Sequence, residues 1–312
     1  MKIGLLDIDG HNFPNIALMK LSAYHKRQNH DVSWYTGIER FDRVYMSKVF
    51  TFSPDEGRII QAEEIIHGGT GYKIYDQNLA EEIEHITPDY SIYPQFSEAY
   101  GFLTRGCINK CPFCIVPQKE GIIRPHADID EFLSGRKHAI LMDNNILACN
   151  WGLQQIEKIA YSKTKVDFNQ GLDCRIIAAN KDIAKLLKRI HWIRFIRMAY
   201  DSSSITDQVE TAISHLNNAG IPSSKLFFYM LVKKDEINDA EARAVRLKRF
   251  GCVPFAMSYR DFTTNEPISD EQRQFAWWVN RKEAFNTTTW QQFNIALRKQ
   301  PHPDEKQLSI KF

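Results

Sequence analysis

Hydrophobic and polar positions follow two rhythms along this chain, one typical of buried strands and one typical of amphipathic helices. From residue 99 onward, short apolar runs return at regular intervals with helical patterns between them. The clearest helix is 206–218, whose apolar stripe is followed by Gly220 as a stop signal. The predicted strands of this region are 99–104, 139–142, 166–168, 193–199, 226–232 and 255–259, and the other predicted helices are 181–190 and 237–250.

Regular alternation of strands and helices predicts a fold of the α/β class. The six strand–helix units in residues 98–262 predict a parallel (β/α)6 partial barrel, whose chemistry we expect where the strands end. Residues 263–312 carry helical, aromatic patterns and predict a short helical C-terminal extension with a frayed tail at 301–312. Residues 1–97 predict a small parallel α/β layer with a helix at 14–28 and strands at 2–8, 31–35, 43–47 and 90–93.

Composition and charge narrow the class of protein without indicating a ligand. The 312 residues are 43% apolar and 25% charged, and the net charge of +2 makes no general case for nucleic acid or an anionic membrane. Six cysteines are too few for a disulfide scaffold in a chain of this length. The amino terminus lacks a signal-peptide pattern, and no apolar run approaches the roughly 20 residues that span a bilayer. We therefore expect a soluble, cytoplasmic protein.

Three cysteines stand together directly after the predicted strand 99–104. Cys107, Cys111 and Cys114 fall inside eight residues with the spacing C-x3-C-x2-C. A loop this short can turn three thiolates toward one point, which in a reducing compartment indicates a metal or cluster rather than a disulfide. Three ligands without a fourth in register indicate one open coordination position, which is typical of a catalytic site.

This cysteine loop at the head of six α/β units resembles the radical S-adenosylmethionine (radical SAM) superfamily, over roughly residues 100–262. The resemblance implies a four-iron four-sulfur cluster with Cys107, Cys111 and Cys114 as iron ligands. SAM would chelate the fourth iron through its amino and carboxylate groups. The chain is then expected to be an enzyme that cleaves SAM reductively to a 5′-deoxyadenosyl radical, which abstracts hydrogen from an unknown substrate. Its electron donor would be a protein such as flavodoxin or ferredoxin, and nucleic acid stays open as a partner.

The resemblance also implies contacts to SAM before and after the second predicted strand. Phe113 precedes the last cysteine of the loop and matches the aromatic residue near the adenine. Asn145, in the turn Asp143-Asn144-Asn145, lies where the family contacts the SAM amino group. This chain lacks the glycines that the family has in that turn.

Further implied contacts follow the later strands. Arg175 or Gln170, after the third strand, would meet the SAM carboxylate, for which a guanidinium offers a bidentate contact. Tyr200 and Asp201, after the fourth strand, would face the ribose hydroxyls. Met230 lies on the fifth strand, where family members contact adenine. The glycine-containing pattern that the family has there is absent from this sequence.

The amino-terminal residues carry a second resemblance, to cobalamin-binding domains. Asp9-Gly10-His11, then Ser47-Lys48-Val49, then Gly68-Gly69 follow the order of the signature Asp-x-His-x-x-Gly, Ser-x-Leu and Gly-Gly. The resemblance implies a Rossmann-like domain over residues 1–97, with His11 as the candidate cobalt ligand. Pro14 replaces the glycine and the intervals are short, so we expect a reduced or lost cobalamin site.

Two other interpretations stay open at this point. A zinc site completed by Cys149, Cys174 or His126 would make the chain a zinc-stabilised protein that binds nucleic acid or another partner, although zinc sites usually pair cysteines as C-x2-C twice. Cobalamin-dependent methyl transfer by a radical SAM enzyme is the other. Neither the substrate nor the oligomeric state is indicated by any motif.

Overall fold

The computed structural model describes residues 1–10, 13–261 and 266–297. The chain divides into two compact units, residues 1–140 and residues 141–312. Parallel sheets with helices recur along it, and a short helical region ends it. The predicted α/β class and the helical C-terminal extension are therefore confirmed. The domain boundaries near residues 97 and 262 stay a prediction.

The first unit is built on a parallel sheet whose inner strand β1 is buried on both faces. Its elements are β1 (Lys2–Asp7), α1 (Ile16–Arg27), β2 (Asp31–Trp34), β3 (Phe41–Ser47) and β4 (Ala62–Gly68). The strand order is β2-β1-β3-β4, and every neighbour runs parallel. Ile3 and Leu5 of β1 pack with Leu18 of α1, whereas Leu6 packs with Val44 on the other side. A strand buried on both faces needs a continuous apolar run, which is why β1 was recognisable.

Local hydrogen bonds decide where the elements of the first unit begin. The side chain of Asn15 accepts from the N–H of Leu18 and caps α1, so Pro14 precedes the cap instead of lying in the first turn. The predicted strand 90–93 was wrong, because Tyr90–Ile92 is a 3-10 turn capped by Asp89. The remaining elements are α2 (Glu81–Glu84), β5 (Ala99–Gly101), β6 (Thr104–Arg105), α3 (Val116–Lys119), β7 (Arg124–Pro125), α4 (Ile129–Leu133) and β8 (His138–Leu141), in which the boundary between the units falls.

The second unit alternates strands and helices as predicted. Its elements are α5 (Asn150–Tyr161), β9 (Lys165–Phe168), α6 (Cys174–Ala179), α7 (Lys181–Lys188), β10 (His191–Trp192), β11 (Ile196–Ala199), α8 (Thr206–Asn218), β12 (Leu226–Val232), α9 (Ile237–Arg249) and β13 (Val253–Ser258). β10 runs parallel to β9, and β11, β12 and β13 are parallel neighbours in that order. The helix α8 and the strand β12 have the predicted bounds, whereas the predicted strand 193–199 starts later, at Ile196.

The C-terminal extension is a cluster of short helices held together by aromatic side chains. Arg281 is extended at φ −98° and ψ 102° and separates the helix that ends at Asn280 from the helix that begins at Lys282. Phe275, Trp278 and Phe285 are buried and stack edge to face. The predicted tail 301–312 lies outside the described residues. The helices are α10 (Asp270–Asn280), α11 (Lys282–Thr287) and α12 (Trp290–Leu297).

Candidate functional site

The three clustered cysteines lie in a long hairpin loop of the first unit. The predicted strand 99–104 is interrupted, so that β5 ends at Gly101 and β6 is the two-residue strand Thr104–Arg105. β6 pairs antiparallel with β7, with Thr104 opposite Pro125 and Arg105 opposite Arg124. The loop that carries the cysteines is thus closed at its base by a pair of short strands.

Gly106 sets the geometry at the entrance to the cysteine loop. Its φ is 83°, and a Cβ at this position would lie 2.4 Å from the carbonyl oxygen of Ile122. The N–H of Gly106 donates to Oε2 of Glu120 at 3.0 Å, and the N–H of Cys107 donates to the carbonyl oxygen of Gly121 at 3.2 Å. Only glycine suits this close approach, and the start of the loop is held against its end.

The thiols themselves are accessible to different degrees. Cys107 and Cys111 are half-buried, and Cys114 is exposed. The N–H of Asn109 donates to Sγ of Cys107 at 3.3 Å, and the N–H of Cys114 donates to the carbonyl oxygen of Cys111 at 3.0 Å. Across residues 1–10, 13–261 and 266–297, no group of three or more His, Cys, Asp or Glu side chains is arranged to hold a metal ion.

The donor set of the loop fits an iron–sulfur cluster in its chemistry. Cysteine thiolates are the usual ligands of such clusters, and hydrogen bonds to sulfur tune them. Metal binding itself commonly completes the geometry of a ligand loop. The thiols lose their protons as they bind the metal. The loop therefore carries three thiols of one hairpin that are at least partly exposed. In the described part of the chain, no group of side chains is already arranged to hold a metal ion.

The residues proposed above as a fourth zinc ligand have other contacts. Nε2 of His126 lies 3.2 Å from Oε1 of Glu84. Cys174 belongs to the second unit and is buried, its Sγ donates to the carbonyl oxygen of Ala199, and burial raises its pKa to about 12. Cys149 is half-buried and also belongs to the second unit.

Several residues implied as SAM contacts do come together in the second unit. Arg175 donates through Nε and Nη2 to the two carboxylate oxygens of Asp173, each at 2.8 Å. Nδ2 of Asn145 donates to the same carboxylate at 3.1 Å, and Asn145 is 2% exposed. Asp173 was not singled out from the sequence, although its place before α6, which it caps, was a visible signal.

Tyr200 and Asp201 follow β11, and the carbonyl oxygen of Tyr200 accepts a hydrogen bond from Nη1 of Arg243. Arg243 was not singled out from the sequence. Oδ1 of Asp201 accepts from the N–H of Leu231 at 2.8 Å. Burial raises the pKa of Asp201, while that hydrogen bond and the charges of Arg243, Arg175 and Lys233 oppose the rise. The hydroxyl of Tyr200 bonds to Oγ1 of Thr206 at 2.6 Å. Arg243 could have been found from the sequence, because it is a charged residue on the otherwise apolar, buried stripe of α9.

The other implied residues are spread more widely. Gln170 is exposed in the turn after β9, and Phe113 is half-buried in the cysteine loop. Met230 is fully buried in the core of the second unit. Asp143 is also buried, at 2% exposure. The site residues belong to both compact units.

The glycine turn of the amino-terminal module is filled by the chain itself. A Cβ on Gly69, whose φ is 97°, would lie 2.3 Å from the carbonyl oxygen of Lys48, and one on Gly71 would lie 2.4 Å from Cγ of Lys48. The carboxylate of Asp9 accepts from the N–H groups of Val49 and Phe50. His11, the candidate cobalt ligand, lies outside the described residues. The turn therefore serves close packing against Lys48.

Two comparisons with known proteins bear on the family of this chain. No protein-family model matches the sequence, and no curated protein matches it either. Among the helices that the structure describes, none combines the length and the apolar character needed to cross a membrane.

Proposed function

We propose that this chain is a radical SAM enzyme in which Cys107, Cys111 and Cys114 hold a four-iron four-sulfur cluster. The observation that carries the proposal is the C-x3-C-x2-C spacing inside one closed hairpin loop. The chemistry that the cluster supplies when bound is the one-electron reduction of SAM, which releases a 5′-deoxyadenosyl radical to take hydrogen from the substrate. The substrate is a separate question.

The loop would contribute in two ways that follow from its contacts. The N–H of Asn109 donates to Sγ of Cys107, which stabilises negative charge on that sulfur. The hydrogen bonds of Gly106 and Cys107 to the end of the loop keep the cysteines in one hairpin. Both effects come from hydrogen bonds between residues of the loop itself.

In the second unit, the proposal assigns SAM binding to the strand ends. The Asp173 carboxylate fixes Arg175 and Asn145, so a guanidinium and an amide are held at the start of α6 for the amino-acid part of SAM. Asp201, which accepts from the N–H of Leu231, would accept from the ribose hydroxyls, and Gln170 and Tyr200 are the remaining candidates of this unit. Phe113, in the cysteine loop of the first unit, is the candidate for the adenine. The parallel strands that support these turns are those expected of a partial (β/α)6 barrel, which we include in the proposal.

Anaerobic reconstitution with iron and sulfide tests the proposal. We expect the wild-type chain to take up both, to show the visible absorption of a cluster, and to yield 5′-deoxyadenosine from SAM once reduced. Cys107→Ala should lose the cluster and the product, whereas Cys149→Ala, a half-buried cysteine outside the loop, should retain both. Unchanged iron content and product yield in Cys107→Ala would overturn the proposal. So would tightly bound zinc without sulfide.

The filled glycine turn favours an enzyme without cobalamin. Lys48 packs directly against Gly69 and Gly71, so this part of the turn is filled by the chain itself. We therefore expect added cobalamin to elute separately from the protein on gel filtration. Retention of cobalamin by the wild-type chain, and its loss in His11→Ala, would instead support the methyl-transfer alternative. The electron donor in either case would be a flavodoxin or ferredoxin.

A further inference from the structure

The second unit concentrates positive charge at one edge of its strands. β9 and β10 are parallel, as are β11, β12 and β13, and a parallel bridge from Leu172 to Met198 joins the two sets. The amino ends of these strands therefore share one edge. We call the exposed cations in the segments leading into them the basic rim, which consists of Lys163, Lys165, Lys188, Arg189, Arg194, Lys225, Lys248 and Arg249.

No acidic side chain in the same segments offsets the positive charge of the rim. The segments 161–166, 186–195, 219–226 and 248–253 contain no Asp or Glu. Among the residues that the structure describes, none of the rim cations is in an ion pair. Lys188 and Lys248 donate to the carbonyl oxygens of Gly220 and Phe285, which leave the positive charge unneutralised. Since the whole chain has a net charge of only +2, this edge differs strongly from the rest.

Helix dipoles account for only part of the rim. Lys188 and Arg249 stand at or next to helix carboxyl ends, where cations are favoured by the unpaired carbonyl groups. Lys163 also follows the carboxyl end of α5, and Lys225 ends a 3-10 turn, whereas Lys165 begins β9 and Arg194 lies between β10 and β11. The helix ends therefore do not account for Lys165 and Arg194.

Aromatic rings are interleaved with the rim cations. The guanidinium of Arg189 lies over the ring of Tyr161 at 4.5 Å, and that of Arg194 lies over Phe195 at 4.8 Å. Tyr161 is 81% exposed and Phe250 is 38% exposed. Rings that lie open beside cations can stack on bases while the cations contact phosphates, which is the usual arrangement of single-strand binding surfaces.

We infer that the basic rim binds single-stranded nucleic acid. At about 4.8 Å between neighbouring strands, the rim is roughly 20 Å long, which is enough for several phosphates. The exposed rings beside the cations favour single-stranded nucleic acid, because it offers a base to stack on next to every phosphate. The rim is at the opposite end of the strands from Arg175 and Asp201, so this activity is independent of the proposed cluster and SAM chemistry.

Fluorescence anisotropy of the full chain, as purified, tests the inference with a labelled single-stranded RNA of about 15 nucleotides and mixed sequence. We expect binding that weakens steeply between 50 and 200 mM KCl, as counterion release requires. Lys163→Glu with Arg189→Glu should reduce affinity about tenfold or more and lower the slope of log K against log salt by about 1.4. Arg27→Glu with Arg40→Glu, an equal charge change on exposed arginines of the first unit, should leave both unchanged.

A second variant separates stacking from charge. Tyr161→Ala should reduce affinity about tenfold without altering the salt slope. Absence of saturable RNA binding at 50 mM KCl would overturn the inference, as would equal losses in the two double variants. Rim-dependent binding to phosphatidylserine vesicles without RNA binding would assign the rim to a membrane. Equal competition by polyglutamate, charge for charge, would assign it to acidic proteins.

Discussion

The guanidinium of Arg243 donates through Nη1 to the carbonyl oxygen of Tyr200 at 2.6 Å, although Arg243 is only 1% exposed. Its Nη2 donates to the carbonyl oxygen of Leu231 at 2.9 Å, and its Nε donates to Oδ2 of Asp239 at 2.6 Å. One side chain thus ties the end of β11 to the end of β12, at the place where Asp201 accepts from Leu231.

Arg243→Met should destabilise the protein by about 3 kcal/mol, because it removes a buried cation and leaves buried carbonyl groups without their donor. Urea unfolding followed by circular dichroism measures the change. Arg246→Met is the matched control, since Arg246 lies on the same helix in an exposed pair with Glu210. That substitution should cost less than about 1 kcal/mol. Equal effects of the two would contradict the role given to Arg243.

Gly106→Ala should open the cysteine loop, because an alanine combines a positive φ with a contact of 2.4 Å to a backbone carbonyl. We expect a cost of about 3 kcal/mol, against about 1 kcal/mol for Gly121→Ala, where φ is also positive but the space is open. Hydrogen exchange of the Cys107 amide, which donates to Gly121, reports the opening directly. Similar exchange rates in both variants would refute the steric argument.

Lys119→Met should loosen the helix α3 of the cysteine loop from the glycine turn. Nζ of Lys119 donates to Oγ1 of Thr70 at 2.7 Å, and burial lowers the pKa of this lysine. In a double-mutant cycle with Thr70→Val, we expect a coupling of about 1 kcal/mol, read from exchange of the amides of residues 116–119. Lys110→Met, an exposed lysine of the same loop, should show no coupling to Thr70→Val.

His25 should make the stability of the protein fall as the pH falls from about 6.5 to about 4. Burial, together with the charges of His30, Arg43 and the amino terminus, lowers the pKa of His25 to about 4. The unfolded chain therefore binds a proton in this window that the folded chain does not, so lowering the pH favours unfolding.

The expected loss in that window is about 2–3 kcal/mol. His25→Gln should flatten the dependence, measured as urea midpoints against pH. His191→Gln, at an exposed histidine, should leave it intact. A wild-type profile that is flat from pH 6.5 to pH 4 would contradict the prediction.

The parts of the fold that could be predicted are those specified by local pattern. The apolar stripe of α8 and the continuous run of β12 are properties of adjacent residues, and both elements have their predicted bounds. The interruption after β5 was not visible, because Leu103 is apolar like the strand residues before it. The 3-10 turn at Tyr90 was missed because its hydroxyl donates to the carbonyl oxygen of Phe132, 42 residues away.

The same division holds for the candidate site. The sequence by itself determined the spacing of Cys107, Cys111 and Cys114 and the α/β order around them, because both depend on near neighbours along the chain. Only the tertiary structure decided that Gly106 closes their loop and that Arg243 ties the ends of β11 and β12. The physical reason is that a buried hydrogen-bonding group must find a partner, and folding brings that partner from a distant segment.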